Sequence, residues 1–304
     1  MARKKKSVLT INIEYIIVLF LMKLLSLLPY KIASDIGGFL GIAGYHLDKR
    51  HRNITLQNLR MAFPDIDNNR EVILAKNTFH NMGRSTAEII HVASKGATTV
   101  NNSIHNWVTV EGKGHLDKAI KKGKGVIYLS AHFGNWELMS LTIGTNDCPY
   151  NVIVRPLDNP KLDRLLTVMR SITGAKIMPK KNVLLDVLKR LKRGEALAIL
   201  IDQNTSRELG VFVNFFSTPA ATNKGPAIIA MKSGAAVIPT LMVREGRYRH
   251  RLIYGEELVL HKTGNLEKDI FLNTELFTNN LESYIRKYPD QWFWMHRRWK
   301  TRPE

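Results

Sequence analysis

The sequence predicts an α/β fold: a mixed, mostly parallel sheet flanked by helices on both faces, with an N-terminal membrane-associated helical region. Three observations predict it. Short apolar, β-branched runs alternate with amphipathic stretches from residue 107 onward, as in strands joined by helices. A strongly apolar stretch lies near the N-terminus, and neither an internal repeat nor a low-complexity linker divides the rest. We therefore expect two regions, a helical region at 1–47 and an α/β domain at 48–304.

The N-terminal region begins with basic residues at 3–6 and continues with an apolar stretch at 8–28. That stretch reaches the roughly 20 residues that a membrane span needs, but it contains Glu14 and Lys23. A second uncharged stretch, 36–47, is too short to cross a membrane. We expect a membrane-docking helix or helical pair. The alternatives are a single span with the basic residues on the cytoplasmic side, and a helix buried in the globular body. No cleavage site of the Ala-x-Ala kind follows, so we expect no removed signal peptide.

The elements of the α/β domain follow from the spacing of apolar residues. Alternating or continuous short apolar runs indicate strands, and apolar positions three or four apart indicate helices. We expect strands at residues 107–111, 125–130, 150–155, 176–178, 196–201, 236–243 and 248–253, and helices at residues 48–63, 70–94, 115–122, 135–144, 159–173, 182–192, 223–233 and 266–287.

Composition limits the possible functions. The chain has 304 residues and a net charge of +19, so we expect a polyanionic partner. Nucleic acid, an anionic membrane surface and a phosphorylated substrate fit that charge equally well. Cys148 is the only cysteine, which excludes an internal disulfide and a multi-cysteine zinc site. The sequence contains neither a Walker-type phosphate loop nor a Gly-x-Ser-x-Gly elbow. We expect no metal.

The most informative stretch runs from residue 125 to residue 139. A buried strand at 125–130 is followed by a helix that starts near Gly134 and Asn135, with Asn135 as the N-cap. His132 lies on the turn between them. Ligands of open α/β sheets bind beyond the carboxyl ends of the strands, so we expect the chemistry here.

His132 and Glu137 are five residues apart, with the histidine in the turn and the glutamate inside the helix. The imidazole can therefore fold back onto the carboxylate, which would fix its tautomer and leave the other ring nitrogen to accept a proton from an alcohol or amine. No activated nucleophile is visible beside this base. The alternative is a core histidine at a helix cap. We expect His132 and Glu137 to be catalytic.

Two further residues follow strands of the predicted sheet. Arg155 ends the strand after the motif and could bind phosphate or stabilise an oxyanion, or it could be a surface arginine before a turn. Asp202 follows the strand at 196–201 and could orient His132, bind a substrate amine or hydroxyl, or cap its loop. We also expect backbone N–H groups near Gly134 and Asn135 to contribute to an oxyanion site.

Two aromatic segments have alternative interpretations. The loop at 211–216 contains Phe212, Phe215 and Phe216, which would form a wall for a fatty chain or a small hydrophobic cluster. The C-terminal segment at 292–302 combines tryptophans with basic residues. Such a cluster suits nucleobases or a membrane interface, or it packs on the body. We expect its aromatic residues to pack and its basic residues to face phosphates.

The histidine and glutamate of the motif resemble those of glycerophospholipid-type acyltransferases. The longer stretch 131–137 resembles the bacterial lipid A biosynthesis acyltransferases, the late lauroyl and myristoyl transferases. Four other stretches are similar to that family, in the same order along the chain: 58–64, 202–203, 215–222 and 292–303. Five landmarks in order cover nearly the whole chain, from about residue 15 to residue 303.

The resemblance implies an acyltransferase at the cytoplasmic face of the bacterial inner membrane. It implies acyl carrier protein as donor, although some relatives use acyl-CoA, and a phosphorylated glycolipid such as a lipid A precursor as acceptor. Other relatives acylate mannosides with the same motif. No metal, no other cofactor and no nucleic acid are implied. Arg155 and Arg170 match family arginines, so both become candidate oxyanion or substrate-binding residues.

A second hypothesis belongs to another class: a basic peripheral protein that binds a membrane or nucleic acid without catalysis. It explains the charge and the C-terminal cluster. It does not explain why His132, Arg155 and Asp202 all lie at the exits of predicted strands.

Overall fold

The computed structural model describes residues 7–145, 150–154, 156–179 and 183–303. Across these ranges the chain forms a seven-stranded sheet and a separate two-stranded hairpin, which confirms the α/β prediction. The strands are β1 (Val108–Glu111), β2 (Val126–Ser130), β3 (Tyr150–Val154), β4 (Lys176–Pro179), β5 (Ala196–Leu200), β6 (Gly210–Phe215), β7 (Thr218–Asn223), β8 (Ala236–Glu245) and β9 (Arg249–Tyr254).

Helices precede the sheet and connect its strands. They are α1 (Val8–Leu27), α2 (Tyr30–Leu47), α3 (Lys49–Ala62), α4 (Asn68–Ala93), α5 (Gly96–Ser103), α6 (Lys113–Lys121), α7 (Trp136–Gly144), α8 (Pro160–Ser171), α9 (Leu184–Lys192), α10 (Gly225–Ser233) and α11 (Leu266–Lys287). Short 3₁₀ turns lie before β1 and after α11.

The large sheet has the order β1-β9-β8-β2-β5-β3-β4. Its neighbouring strands are parallel except β8 and β9, so the sheet is mixed and mostly parallel, as predicted. Strand β2 lies between β8 and β5, and Ser130 pairs with Leu200 at the carboxyl ends of β2 and β5. Residues that follow these two strands at equal distance therefore emerge side by side.

Both faces of the sheet are covered. Alternate side chains of a strand point to opposite faces, and β2 shows this directly. Ile127 and Leu129 belong to one hydrophobic cluster, whereas Val126 and Tyr128 belong to the other. The strand is a continuous apolar run in sequence because it is buried on both sides.

The C-terminal aromatic residues complete the first of these clusters. Trp292, Trp294 and Trp299 are buried, which confirms that they pack on the body. The expectation for the basic residues is wrong for Arg298. Its side chain is buried, and it donates to the carbonyl oxygen of Ala221 at 2.9 Å.

Helix α1 is long and apolar enough to cross a membrane, with a mean hydropathy of 2.1 and only 6% of its apolar window buried. Its N-terminal half is bonded to Asn159, the N-cap of α8. The Nδ2 atom of Asn159 donates to the Ile11 carbonyl at 3.0 Å and to Oε2 of Glu14 at 2.9 Å. One of the two charges that interrupt the apolar stretch is therefore used in a contact with the α/β body.

Helix α2 packs closely along α4. A Cβ atom on Gly37 would lie 2.5 Å from the carbonyl oxygen of Gly83, and a Cβ on Gly83 would lie 2.1 Å from that of Gly37. Only glycine allows the two backbones to approach so closely. The boundary that we predicted after residue 47 stays a prediction.

Three elements differ from the predictions: the strands β6 and β7 and the helix α5. Residues 211–216, predicted as a loop, fall largely in β6, which pairs with β7 in an antiparallel hairpin. Helix α5 was not predicted. Its sequence has little apolar periodicity, and Val100 is its only buried residue in the structure.

Candidate active site

The turn between β2 and α7 is held from several sides. Gly134 has a φ of +56°, and a Cβ atom there would lie 1.7 Å from the carbonyl oxygen of Met242. Its N–H donates to the Gln291 carbonyl at 2.8 Å. Asn135 is the N-cap of α7, as predicted, since its Oδ1 accepts the N–H of Leu138 at 3.0 Å. The sequence therefore places His132 on a rigid turn at the edge of the sheet.

The ring of His132 is held by Asp202. The two atoms His132 Nδ1 and Asp202 Oδ1 are 2.9 Å apart. The backbone N–H of His132 and the indole N–H of Trp292 both donate to Oδ2 of Asp202, at 3.1 Å and 2.9 Å. Because a carboxylate only accepts, Nδ1 carries the proton and Nε2 is the ring nitrogen available as a base.

The electrostatics of this pair favour the imidazolium. Burial lowers the pKa of His132, but the charge and the hydrogen bond of Asp202 outweigh burial and leave that pKa above its ordinary value. Burial raises the pKa of Asp202, whereas the charge and hydrogen bonds of His132 and Trp292 lower it, with a net lowering. Asp202 therefore stays ionised and stabilises a proton on His132.

Glu137 has a different partner from the one we expected. Oε2 of Glu137 accepts from Nε of Arg170 at 2.8 Å, and Oε1 accepts from the Arg170 guanidinium and from the indole N–H of Trp136. The hydrogen bond predicted between Glu137 and His132 is instead made by Asp202. The physical reason is the register of β2 and β5, which brings Asp202 beside the turn. Glu137 acts on His132 through its charge, which raises the histidine pKa.

Arg170 lies in α8, where a solvated helix face was the alternative to a site residue. The structure pairs it with Glu137 at the wall of the site. Burial lowers the pKa of Arg170, but the hydrogen bond and charge of Glu137 raise it overall. A guanidinium is therefore fixed in place near His132.

These side chains border a cavity of about 700 Å³. Its polar lining includes His132, Glu137, Arg170 and Gln203. Most of the other lining residues are apolar, among them Met139, Ile143, Val152, Ala198, Leu184 and Ile229. A mostly apolar cavity of this size with a few polar groups is typical of a small-molecule binding site.

The predicted fatty-chain wall is wrong. Among the described residues that line the cavity, Phe212, Phe215 and Phe216 do not occur. Phe215 and Phe216 are buried in the core, where Phe215 contacts Trp292 at a ring distance of 5.3 Å. Phe212 lies half-buried beneath Arg207. The pairing of β6 with β7 directs these rings away from the site.

The predicted oxyanion donors need a correction as well. The N–H of Gly134 is already bonded to Gln291, so it is not free for a substrate oxygen. Asn135 as a whole residue, backbone included, is 1% exposed and is not among the described residues that line the cavity. Arg155 lies outside the described residues, so its predicted place at the site stays a prediction.

Sequence reasoning missed several residues of the site. Gln203 Nε2 lies 3.4 Å from His132 Nε2, and the rings of Trp136 and Phe293 lie 5.2 Å and 6.1 Å from the imidazole. Gln203, Trp136 and Phe293 all belong to stretches that carry the family resemblance, which was the signal available. Within the described residues, no group of three or more His, Cys, Asp or Glu side chains is placed to hold a metal ion.

Comparisons with known proteins show the family of the chain. A sequence model of the family described as "Bacterial lipid A biosynthesis acyltransferase" matches residues 1–301. The chain is 29% identical to the lipid A biosynthesis palmitoleoyltransferase of Escherichia coli (strain K12), over 91% of this chain and 87% of the relative. It is also 29% identical to the lipid A biosynthesis lauroyltransferase of the same organism, over 91% of this chain and 88% of the relative.

A more distant relative differs in its acceptor. The chain is 25% identical to a phosphatidylinositol mannoside acyltransferase of Mycobacterium tuberculosis, over 62% of this chain and 59% of the relative. The relatives thus share acyl transfer to lipids and differ in the lipid. With a family model that matches nearly its whole length, and a histidine held by a buried carboxylate beside an apolar cavity, the chain is an acyltransferase that belongs to the bacterial lipid A biosynthesis acyltransferase family.

Proposed function

We propose that the protein transfers a fatty acyl chain from the thioester of acyl carrier protein, or of coenzyme A, to a hydroxyl of a lipid A precursor or a related phosphorylated glycolipid. One observation carries the proposal. His132 is held at Nδ1 by buried Asp202, while its ring borders an apolar cavity of about 700 Å³. The names of the relatives support a lipid acceptor.

The proposed reaction uses His132 twice. Nε2 takes the proton of the acceptor hydroxyl while that oxygen attacks the carbonyl carbon of the thioester. Asp202 stabilises the imidazolium that forms. The attack gives a tetrahedral intermediate. When this intermediate collapses, the carbon–sulfur bond breaks and the departing thiolate takes the proton from Nε2. The thioester is a co-substrate, and no metal or other cofactor enters the step.

Arg170 supplies positive charge to the proposed transition state. Its guanidinium is fixed by Glu137 and borders the cavity that His132 also borders. A fixed cation in a mostly apolar cavity favours the negative charge that develops on the thioester oxygen, and it needs no rearrangement at that moment. In this role Glu137 holds Arg170, and Arg170 contacts substrate.

The surface of the molecule suits both co-substrates. The net charge of +19 complements an acidic carrier protein and the phosphates of the acceptor or of anionic lipids. The exposed apolar face of α1 suits attachment to a membrane. We propose that the protein acts at the cytoplasmic face of the bacterial inner membrane, where both co-substrates would be available.

Purified protein in lipid vesicles tests the proposal. Acyl carrier protein and coenzyme A carrying acyl chains of defined length serve as donors, and a lipid A precursor and a phosphatidylinositol mannoside serve as separate acceptors. We expect mass spectrometry to detect the acylated lipid A precursor. His132→Ala should lower the rate by about 10²- to 10⁴-fold while vesicle binding is retained.

Three results would change the conclusion. Binding to vesicles without any acylated product would favour the peripheral binding protein of the second hypothesis. Acylation of the mannoside alone would keep the chemistry and change the acceptor. Full activity in His132→Ala would remove the proposed base. Lipid profiles of cells with and without the protein give an independent identification of the acceptor.

A further inference from the structure

A buried carboxylate outside the cavity connects four elements of the fold. Glu88, in α4, has a relative exposure of 0%. Oε1 of Glu88 accepts from the Ser34 hydroxyl of α2 at 2.6 Å. His250 of β9 lies 3.1 Å from Oε2 of Glu88. Arg244 of β8 binds both carboxylate oxygens, at 2.6 Å and 2.8 Å. A fully buried charge with this many partners is costly to disturb.

Glu88 is ionised in this setting. Burial raises its pKa, but the hydrogen bond from His250 and the charge of Arg244 lower it, with a net value below the ordinary range. Burial lowers the pKa of His250, and because a carboxylate only accepts, Nε2 of His250 is the donor to Glu88. Glu88 therefore presents two oxygens that only accept hydrogen bonds.

One of those oxygens holds the N-cap of α7, the helix that carries Glu137. Nδ2 of Asn135 donates to Oε2 of Glu88 at 3.0 Å, while Oδ1 of Asn135 accepts the N–H of Leu138 at 3.0 Å. Each end of the amide thus has a partner of fixed polarity, and the amide has one orientation. The cap that begins α7 is consequently tied to Glu88.

The turn next to Asn135 is tied to the same region. The Ser85 hydroxyl, one helical turn before Glu88, lies 3.4 Å from the Gly134 carbonyl and accepts from Arg244 at 3.1 Å. The backbone N–H of Arg244 donates to the side chain of Gln291 at 2.8 Å, and the Gln291 carbonyl accepts the N–H of Gly134. His132 lies on this turn just before Gly134, and Glu137 follows in α7.

We propose that Glu88 is a positioning residue for acyl transfer: through Asn135 it fixes the start of α7, and so the distance between His132 and the Glu137–Arg170 pair. This inference rests on the proposed function of the site. Ser34 extends the arrangement into α2, so the N-terminal helical region contributes to the geometry of the active site through one carboxylate. Glu88 itself is not among the described residues that line the cavity.

The decisive variant is Asn135→Ser. Serine is also a preferred N-cap, so α7 keeps its cap, but the shorter side chain does not reach Glu88. The charge pairs of Glu88 stay intact, so folding is preserved. We expect kcat to fall about tenfold or more, with KM for both co-substrates within about threefold, because misplacement of reacting groups lowers kcat rather than binding.

Glu88→Gln with Glu71→Gln as its control tests the carboxylate itself. Glu71 is also buried in α4 and paired with an arginine, since its Oε1 lies 2.9 Å from Nε of Arg60. The amide introduced by Glu88→Gln would direct an NH₂ group at side chains that themselves donate hydrogen bonds, namely those of Asn135, Arg244 and His250. We therefore expect the same loss of kcat as in Asn135→Ser. Glu71→Gln should keep kcat within about twofold, and thermal unfolding of both variants reports their folding.

A polarity swap separates the bond from general stability. In Glu88→Gln/Asn135→Asp, the donor and the acceptor exchange places, the helix keeps an aspartate cap, and the total charge is unchanged. Glu88→Gln alone should lower log kcat by some amount. We expect the double variant to recover at least about half of that decrease.

The outcomes are separable from those of the proposed function. If the unmodified protein transfers acyl chains and Asn135→Ser keeps its full kcat, the inference is overturned while the function stands. The same holds if the double variant is as slow as the slower single variant. If Glu88→Gln does not fold, Asn135→Ser decides alone. An unmodified protein without transfer activity refutes the proposed function instead.

Discussion

The Nδ1 atom of His132 lies 2.9 Å from Oδ1 of Asp202, seventy positions later in the chain. The two residues meet because β2 and β5 are parallel neighbours in which Ser130 pairs with Leu200. Each residue follows its strand by two positions, so both reach the same edge of the sheet together. The acid that holds the ring of His132 thus comes from the neighbouring strand rather than from the helix that follows the histidine.

Asp202→Asn should weaken the base and change its pH dependence. The raised pKa of His132 means that kcat/KM of the unmodified enzyme falls as the pH drops through a value above 6.5. Without the negative charge of Asp202 the histidine pKa falls, so this loss moves to lower pH. We expect kcat to drop about 10²- to 10⁴-fold.

Profiles of kcat/KM between about pH 5 and pH 9 measure this shift. Asp186→Asn is a matched control, because Asp186 is an exposed carboxylate that pairs with Arg190 on α9. If kcat/KM of Asp202→Asn falls at the same low pH as in the unmodified enzyme, the assignment of Asp202 as the partner of His132 is contradicted.

Glu137→Gln should lower kcat, but the pH at which kcat/KM falls should shift less than in Asp202→Asn. Its carboxylate bonds to Arg170, whereas it acts on His132 only through its charge. We expect kcat to fall about 10- to 100-fold as Arg170 loses its fixed position. Arg170→Lys should give a similar loss, because an ammonium cannot reproduce the two-pronged contact. Steady-state kinetics measured as a function of pH report both effects. If the fall of kcat/KM at low pH shifts as far as in Asp202→Asn, this division of roles is refuted.

Ala198→Leu should shorten the acyl chain that the enzyme prefers. Ala198 lies in β5 and lines the cavity. A larger side chain there removes space for an apolar chain, and each buried methylene contributes about 0.8 kcal/mol, close to a fourfold preference. Competition between donors of different chain length measures the change. Phe212→Ala is the control, since Phe212 does not line the cavity, and a shift in Phe212→Ala but not in Ala198→Leu would contradict the assigned wall.

Glu14→Ala should loosen α1 from the α/β body. Oε2 of Glu14 accepts a hydrogen bond from Asn159. A hydrogen bond to a charged group contributes about 1.5–3 kcal/mol to stability, and solvent screening reduces that contribution for this half-buried pair. We expect hydrogen exchange in α1 to become about tenfold faster. Lys23→Ala removes the other charge of the same helix at an exposed position and should leave exchange unchanged. Equal exchange in both variants would mean that the contact with Asn159 does not anchor α1.

Local sequence determined the elements that carry the site. The apolar run of β2, the N-cap Asn135 and the position of His132 between them follow from neighbouring residues alone, and the structure confirms them. The α/β class and the packing of the C-terminal tryptophans were predictable in the same way. Periodicity and capping act within a few residues, so one sequence reveals them.

Tertiary structure decided which residues meet. Asp202, and not Glu137, bonds to His132 because β5 lies next to β2, and strand order is not encoded in the periodicity of either strand. The phenylalanines of the 211–216 segment lie away from the cavity because β6 pairs with β7, whereas an apolar segment by itself fits a core or a cavity equally well. Both outcomes depend on contacts between residues distant in the chain, which fix the direction of each side chain only once the sheet has formed.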